Sequence, residues 1–293
     1  MGPSILIIGS GGRLGAALTR AYRERFDVTD FSHADLDLAK ADQVRAKIEP
    51  LSFDILVNAA AFTNVDLSEK EREQAFAINA EAPRLLAEIC RGKKAKLIHF
   101  STDYVLDGEK REPYAEEDPA RPLSIYGESK RAGEENVLAV DERHLVVRVS
   151  WVFGPDRPSF VDEMIQRARE NDQVAAVADK ISTPTYTRDI ADLLLPVLSK
   201  SADRFSGRLH IANTGECTWQ EYAQHALDCC HQFGVPLKAK KVGALKLGDM
   251  KSFIAPRPVY TVLSTQKYTS LTGISPRSWQ DAVAEYVRDY VKH

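Results

Sequence analysis

The chain has 293 residues, of which 44% are hydrophobic and 28% charged, and its net charge is −3. That length buries a large core, in one big domain or two coupled ones, and the charge offers no footing for nucleic acid or an acidic membrane surface. No run of about 18 apolar residues suggests a membrane span, and Cys90, Cys217, Cys229 and Cys230 form no C-x-x-C pair, which reads as reduced thiols in a cytoplasmic protein.

Met1, Gly2 and Pro3 lead straight into an apolar run at 4–8, with no basic leader ahead of it. That run predicts a buried strand, and 14–25 predicts a helix. Between them stand Gly9, Gly12 and Gly15 in a G-x-x-G-x-x-G spacing that also holds Arg13 and Leu14. Glycines between a buried strand and a helix allow a tight turn, and they let backbone approach a pyrophosphate at the helix N-terminus. Residues 27–31 form a weaker second strand. Its Asp30 lies 21 residues after Gly9, where an acid can hydrogen-bond an adenosine ribose and would repel a 2′-phosphate. A helix at 42–48 and a strand at 54–58 follow. Asn58, Ala59, Ala60 and Ala61 then keep side chains small beside a cofactor, or simply allow tight packing.

Residues 69–91 read as one long helix, 96–101 as the fourth strand and 145–149 as the fifth. The fourth strand ends in Ser101, Thr102, Asp103 and Tyr104, and strand carboxyl ends are where ligand residues gather in a doubly wound sheet. Tyr126 is followed four residues later by Lys130, which puts both on one helix face. An ammonium there is expected to lower the phenol's pKa toward neutrality and suit it to proton transfer. Trp151, just past the fifth strand, could wall a substrate pocket. Glu116, Glu117 and Asp118 read as a solvated turn, and His99 and His210 as core histidines. No metal-ligand spacing is present.

Apolar runs alternating with helical periods predict an α/β Rossmann-type doubly wound parallel sheet. Beyond Trp151 helices dominate, at 159–171, 219–233 and 279–292, with one late strand at 208–212. This predicts a dinucleotide-binding domain over 1–152, to which 181–213 returns. A smaller, partly interleaved C-terminal substrate domain takes 153–180 and 214–293.

Taken together, these motifs resemble the dTDP-4-dehydrorhamnose reductase family of the extended short-chain dehydrogenase/reductase superfamily. The likeness rests on the glycine loop, NAAAFT at 58–63, Val65 and Asp66, STDYVLDG at 101–108, Pro113 and Tyr114, and Pro122. It continues through YGESK at 126–130, Gly133 and Glu134, RVSWVFG at 148–154, TPT at 183–185, Arg257 and Pro258, and Leu263. It implies hydride transfer from NADH or NADPH to C4 of a nucleotide-linked 4-keto-6-deoxy sugar. Tyr126 would then protonate the alkoxide, Lys130 would hold the cofactor ribose, and Thr102 would bond the reacting oxygen. Asp103, Tyr104 and Trp151 would contact the sugar, with Arg257 near the diphosphate.

The family usually has Gln at Arg13 and often Lys at Leu67, and Val259, Tyr260 and Thr261 are bulkier than its small polar pattern. These departures leave the sugar and base open. The alternatives are a reductase of another nucleotide sugar and a non-catalytic dinucleotide-binding module like the regulatory subunit of methionine adenosyltransferase. A homodimer is left open too.

Overall fold

The computed structural model describes residues 2–198 and 204–291. In chain order the first half runs β1 (Ser4–Ile8), α1 (Arg13–Tyr22), β2 (Asp27–Phe31), α2 (Ala41–Ile48), β3 (Ile55–Asn58), α3 (Val65–Lys70), α4 (Arg72–Phe76), α5 (Ala82–Lys93), β4 (Lys96–Thr102), α6 (Ile125–Val140) and β5 (Leu145–Val149). Next come β6 (Val152–Phe153), α7 (Phe160–Glu170), β7 (Val174–Val177), β8 (Ile181–Ser182), β9 (Thr185–Tyr186), α8 (Thr187–Leu194), β10 (Gly207–His210), β11 (Cys217–Thr218), α9 (Trp219–Gln232), β12 (Val242–Leu245), α10 (Gln266–Thr272) and α11 (Trp279–Tyr286).

Among the described residues the central sheet has six strands in the order β10-β5-β4-β3-β1-β2, every neighbouring pair parallel. Its strands are apolar runs because both faces are covered. Along β1, Ile5 and Ile7 enter the core formed with Leu18 and Tyr22 of α1 and Ile190 and Leu194 of α8. The alternate residues Leu6 and Ile8 enter the opposite core, with Val44 and Ile48 of α2, Leu86 of α5 and Val137 of α6. A side-chain period of two thus splits one strand between two helical layers. The late strand predicted at 208–212 joins the edge beyond β5, where Leu209 pairs with Val147. The chain reverses its direction of growth between β1 and β3, which opens a crevice at their carboxyl ends.

A third core gathers α7, α9 and α11 around Phe153, Met164, Tyr222, Trp279 and Tyr286. Small two-stranded pairings, β12 with β7, β11 with β8 and β6 with β9, fasten it. Capping residues set the helix starts: Ser159 with Asp162 at α7 and Thr218 with Glu221 at α9 each close a reciprocal capping box.

Two local expectations are corrected. The single helix predicted at 69–91 is interrupted by a π-helical turn, Ala77–Glu81, between α4 and α5. Glu116 is not solvated: it is 6% exposed and accepts the His210 N–H at 2.8 Å, tying the 115–118 turn to β10, and burial raises its pKa. All four cysteines are buried free thiols. Among the described residues no helix is long and apolar enough to cross a membrane.

Candidate active site

The glycine loop occupies the crevice at the sheet's reversal. A Cβ on Gly9, whose φ is +95°, would lie 2.7 Å from Ala60 N, and one on Gly15 would lie 2.1 Å from Gly9 O. Backbone therefore packs on backbone, which a side chain at either position would prevent. Gly12 is the N-cap of α1 and brings no side-chain cap, and the first turn carries no acid. Its N–H groups are left for an anion at the positive end of the helix. The loop thus fits the pyrophosphate of a dinucleotide. Asn58 is fully buried, its amide on His99 Nδ1 at 3.1 Å and its Oδ1 accepting the Ala60 N–H at 3.1 Å. It shapes the turn carrying Ala59, Ala60 and Ala61.

Two cofactor expectations are modified by charge partners. Asp30 is not a bare carboxylate, because Arg23 pairs with it at 2.5 Å. Its repulsion of a 2′-phosphate is correspondingly blunted. The Arg13 guanidinium turns away from the loop and donates to the carbonyls of Val152, Arg157 and Pro158, while Arg157 donates back to Gly11 O at 2.7 Å. The two arginines clasp the 152–158 segment onto the glycine loop.

Tyr126 and Lys130 stand one turn apart on α6, which Ser124 caps by accepting the Gly127 N–H. The helix comes very near the end of β4: a Cβ on Gly127 would meet Tyr104 O at 2.3 Å. That approach brings Tyr126 to Thr102, whose hydroxyl it hydrogen-bonds, and sets its ring against Tyr104 with centroids 5.7 Å apart. Thr102 Oγ1 donates to Asp103 Oδ1 at 3.0 Å and accepts the Tyr104 N–H at 3.2 Å. Asp103 also accepts from Ser150 at 2.9 Å.

The electrostatics depart from the sequence expectation. Tyr126 is pushed up to about 12, chiefly by burial, with the contact to the Thr102 hydroxyl opposing and the charge on Asp103 reinforcing. Lys130 does not depress it here, because its ammonium donates to Phe100 O at 2.6 Å. Burial lowers Lys130 to about 8, with Glu134 one turn on holding it up. Glu134 is itself buried, gripped by Arg148 at 2.7 Å and Arg208 at 3.0 Å and accepting from Ser101 at 2.6 Å.

Trp151 holds a left-handed backbone, φ +41°, unusual for a bulky residue and of a kind found at functional sites. Its ring joins Phe160, Trp219 and Tyr222 at centroid distances of 5.2, 5.5 and 4.8 Å. Trp219 continues to Phe253 at 5.9 Å, and the Arg257 guanidinium lies 3.7 Å from the Phe253 centroid. Arg257 is already engaged: it grips Asp66 at 2.7 and 3.1 Å, and Asp66 also accepts the N–H groups of Ile254 and Ala255. The Arg257 hydrogen bond leads in holding Asp66 down at about 2.

Sequence reasoning passed over three residues here. Asn79, in the π turn, bonds both backbone groups of Phe62 and Ser129 Oγ; an asparagine inside an apparently regular helix was its only mark. Ser150 sits beneath Asp103. Lys180 is buried beside Tyr104, and no motif or spacing in the sequence marks it. Among the described residues no cluster of His, Cys, Asp and Glu could hold a metal.

Comparison with known proteins agrees across the whole chain. A family model described as the RmlD substrate binding domain matches residues 3–292. The dTDP-4-dehydrorhamnose reductase of Aggregatibacter actinomycetemcomitans is 33% identical, over 98% of this chain and 99% of that protein. A Streptomyces antibioticus protein named "Probable dTDP-4,6-dihydroxy-2-methyloxan-3-one 4-ketoreductase" is 37% identical, over 97% and 94%. The crystal structure of dTDP-4-dehydrorhamnose reductase from Bacillus anthracis str. Ames in complex with NADP matches with a TM-score of 0.90 at 31% identity, over 98% and 99%.

Proposed function

This chain belongs to the RmlD substrate binding domain family, and from that premise we propose that it reduces the C4 ketone of a nucleotide-linked 4-keto-6-deoxy sugar, converting dTDP-4-dehydro-rhamnose to dTDP-rhamnose. The observation that carries the reading is the meeting of Thr102, Tyr126 and Lys130 at the carboxyl edge of the sheet, beside a glycine cradle built for a dinucleotide. The glycine loop and Lys130 would hold NADH or NADPH, which would supply the hydride for C4 of the sugar.

The chain's own groups supply the rest. Tyr126, protonated throughout the neutral range, gives its proton to the oxygen at C4 as the carbonyl becomes an alcohol. A phenolate left in a buried site is costly, and the Lys130 ammonium one turn away would offset that cost on turning from Phe100 O to the phenol; the same ammonium would hold the ribose of a bound cofactor. Thr102 has one hydroxyl proton, spent on Asp103 in the resting site. Rotation of that hydroxyl lends it to the keto oxygen, with Asp103 retained by Ser150. Tyr104 and Trp151 wall the sugar. Arg257, with its charge shared by Asp66, orients the diphosphate end as part of an ion-paired rim.

The test is oxidation of NADH and NADPH with dTDP-4-dehydro-rhamnose generated in situ. Turnover is expected with that sugar, and Tyr126→Phe is expected to keep cofactor affinity while losing about 100-fold or more in rate. Full activity in that variant refutes the proton donor. Turnover only on other nucleotide sugars moves the substrate to the Streptomyces type of reaction. Cofactor binding without turnover on any sugar leaves a regulatory module.

A further inference from the structure

Lys180 is a lysine that the reduction does not use and that folding would ordinarily keep in water. It is 2% exposed, in the stretch between β7 and β8. Its Nζ donates to Pro258 O at 2.6 Å and lies 5.1 Å from the centre of the Tyr104 ring. Tyr104 in turn packs edge-on against Tyr126. Pro258 follows Arg257, and the same segment is paired with β8 through Ile181 N–H to Val259 O and Thr261 N–H to Ile181 O. Asp103 attracts the ammonium and Arg257 repels it. A buried ammonium is retained against a desolvation cost of several kcal/mol only where it is compensated, and here the compensation comes from parts of the sugar-facing wall that are far apart in sequence.

We infer that Lys180 is a positioning residue for the nucleotide sugar: its ammonium fixes the Tyr104 ring and the Pro258 carbonyl to one point, and so registers the sugar end of the substrate against its diphosphate end. This deepens the proposed reduction and rests on it for the identity of the ligand. Lys180 acts through Tyr104 and the Arg257–Pro258 segment.

The experiment is a double-mutant cycle on Lys180→Met and Tyr104→Ala, read as calorimetric affinity for dTDP-rhamnose with NADP+ present, so that no turnover is needed. Lys180→Met is expected to weaken dTDP-rhamnose about tenfold and to leave NADP+ within about twofold, and the double variant is expected to lose clearly less than the product of the two single losses, because one of the two contacts of Lys180 is already gone in Tyr104→Ala. Independent, multiplying losses overturn the inference, as does equal weakening of both ligands. Amide exchange in the ligand-free protein is the second arm. Ile181 and Thr261 are expected to exchange faster in Lys180→Met, with β1 to β5 unchanged; unchanged exchange at both amides also overturns it. Lys180→Gln takes the same two measurements should the methionine variant fold poorly. If wild-type protein ignores dTDP-rhamnose, the proposed substrate falls, and the exchange arm still decides what Lys180 anchors.

Discussion

Burial acts on the two members of the proposed catalytic pair in opposite directions, and both shifts suit the proposed reduction. Tyr126 goes up to about 12 and Lys130 down to about 8. At pH 7 the phenol holds the proton it must give and the amine holds its charge. Reduction is therefore expected to decline as pH rises through about 8, when Lys130 discharges beside Glu134 and His99. Lys180, facing Asp103 and Arg257, is also lowered to about 8. The wild-type decline in kcat/KM should then be steeper than one ionisation, and Lys180→Met should return it to a single slope. Lys130→Arg, which keeps its charge, should likewise leave a single slope, that of Lys180. A decline that ignores both changes assigns the ionisation elsewhere. Stability runs the other way: unfolded lysine holds its proton to about 10.5 and the folded pair only to about 8, so their contribution improves with pH across that window. The proposed adenosine end of the cofactor site offers a second test at a single side chain. Removing the carboxylate in Asp30→Ala leaves Arg23 free beside the adenosine ribose, so the variant should shift preference toward NADPH by about tenfold, equivalent to ~1.4 kcal/mol. An unchanged ratio of kcat/KM for NADH and NADPH would separate Asp30 from the ribose.

Among the elements, the strands were legible because burial on two faces makes them apolar runs, and β5 falls on the predicted 145–149. The π turn at Ala77–Glu81 was not legible, since one extra residue in a turn leaves the apolar period nearly intact. It aims Asn79 at Phe62 and Ser129, and it sits against α6 so closely that a Cβ on Gly133 would be 2.1 Å from Asn79 O. Glu116 escaped for a related reason: three successive acids look solvated, and only the tertiary partner on β10 shows that the first is inside. The end of α5 offers a test of backbone strain. Lys94 terminates the helix in the left-handed region, φ +58°, where glycine pays no Cβ penalty. Lys94→Gly should stabilise the protein by about 0.5–1 kcal/mol after the entropy of the unfolded glycine is deducted, measured by urea unfolding. A loss of stability would mean the Lys94 side chain contributes more than its backbone costs.

For the molecule as a whole, the alternation of strand and helix announced a doubly wound sheet, and the motifs assigned to its carboxyl edge are brought together there by the fold. The fastenings across the site were invisible in the chain. Arg13 to the 152–158 carbonyls, Arg20 to Asp156 and Arg257 to Asp66 join residues more than 130 positions apart, and an ion pair at that separation leaves no periodicity to read. The proposed catalytic residues could be picked out in the sequence because they stand at short spacing or at strand ends, and Lys180 was missed because only the folded chain takes it out of water.

The buried thiols make this protein a clock for its own opening. Cys90 lies in the layer between the sheet and α5, and Cys217, Cys229 and Cys230 lie in the core around α9. Burial raises all four, Cys90 and Cys230 to about 12 and Cys229 to about 11, so neither access nor thiolate is available in the closed molecule. Iodoacetamide should leave native protein unlabelled. Mass spectrometry of peptides alkylated along a urea series would then date the breach of each core separately, and carboxamidomethylation of Cys229 in plain buffer would reveal a breach that the closed packing does not allow.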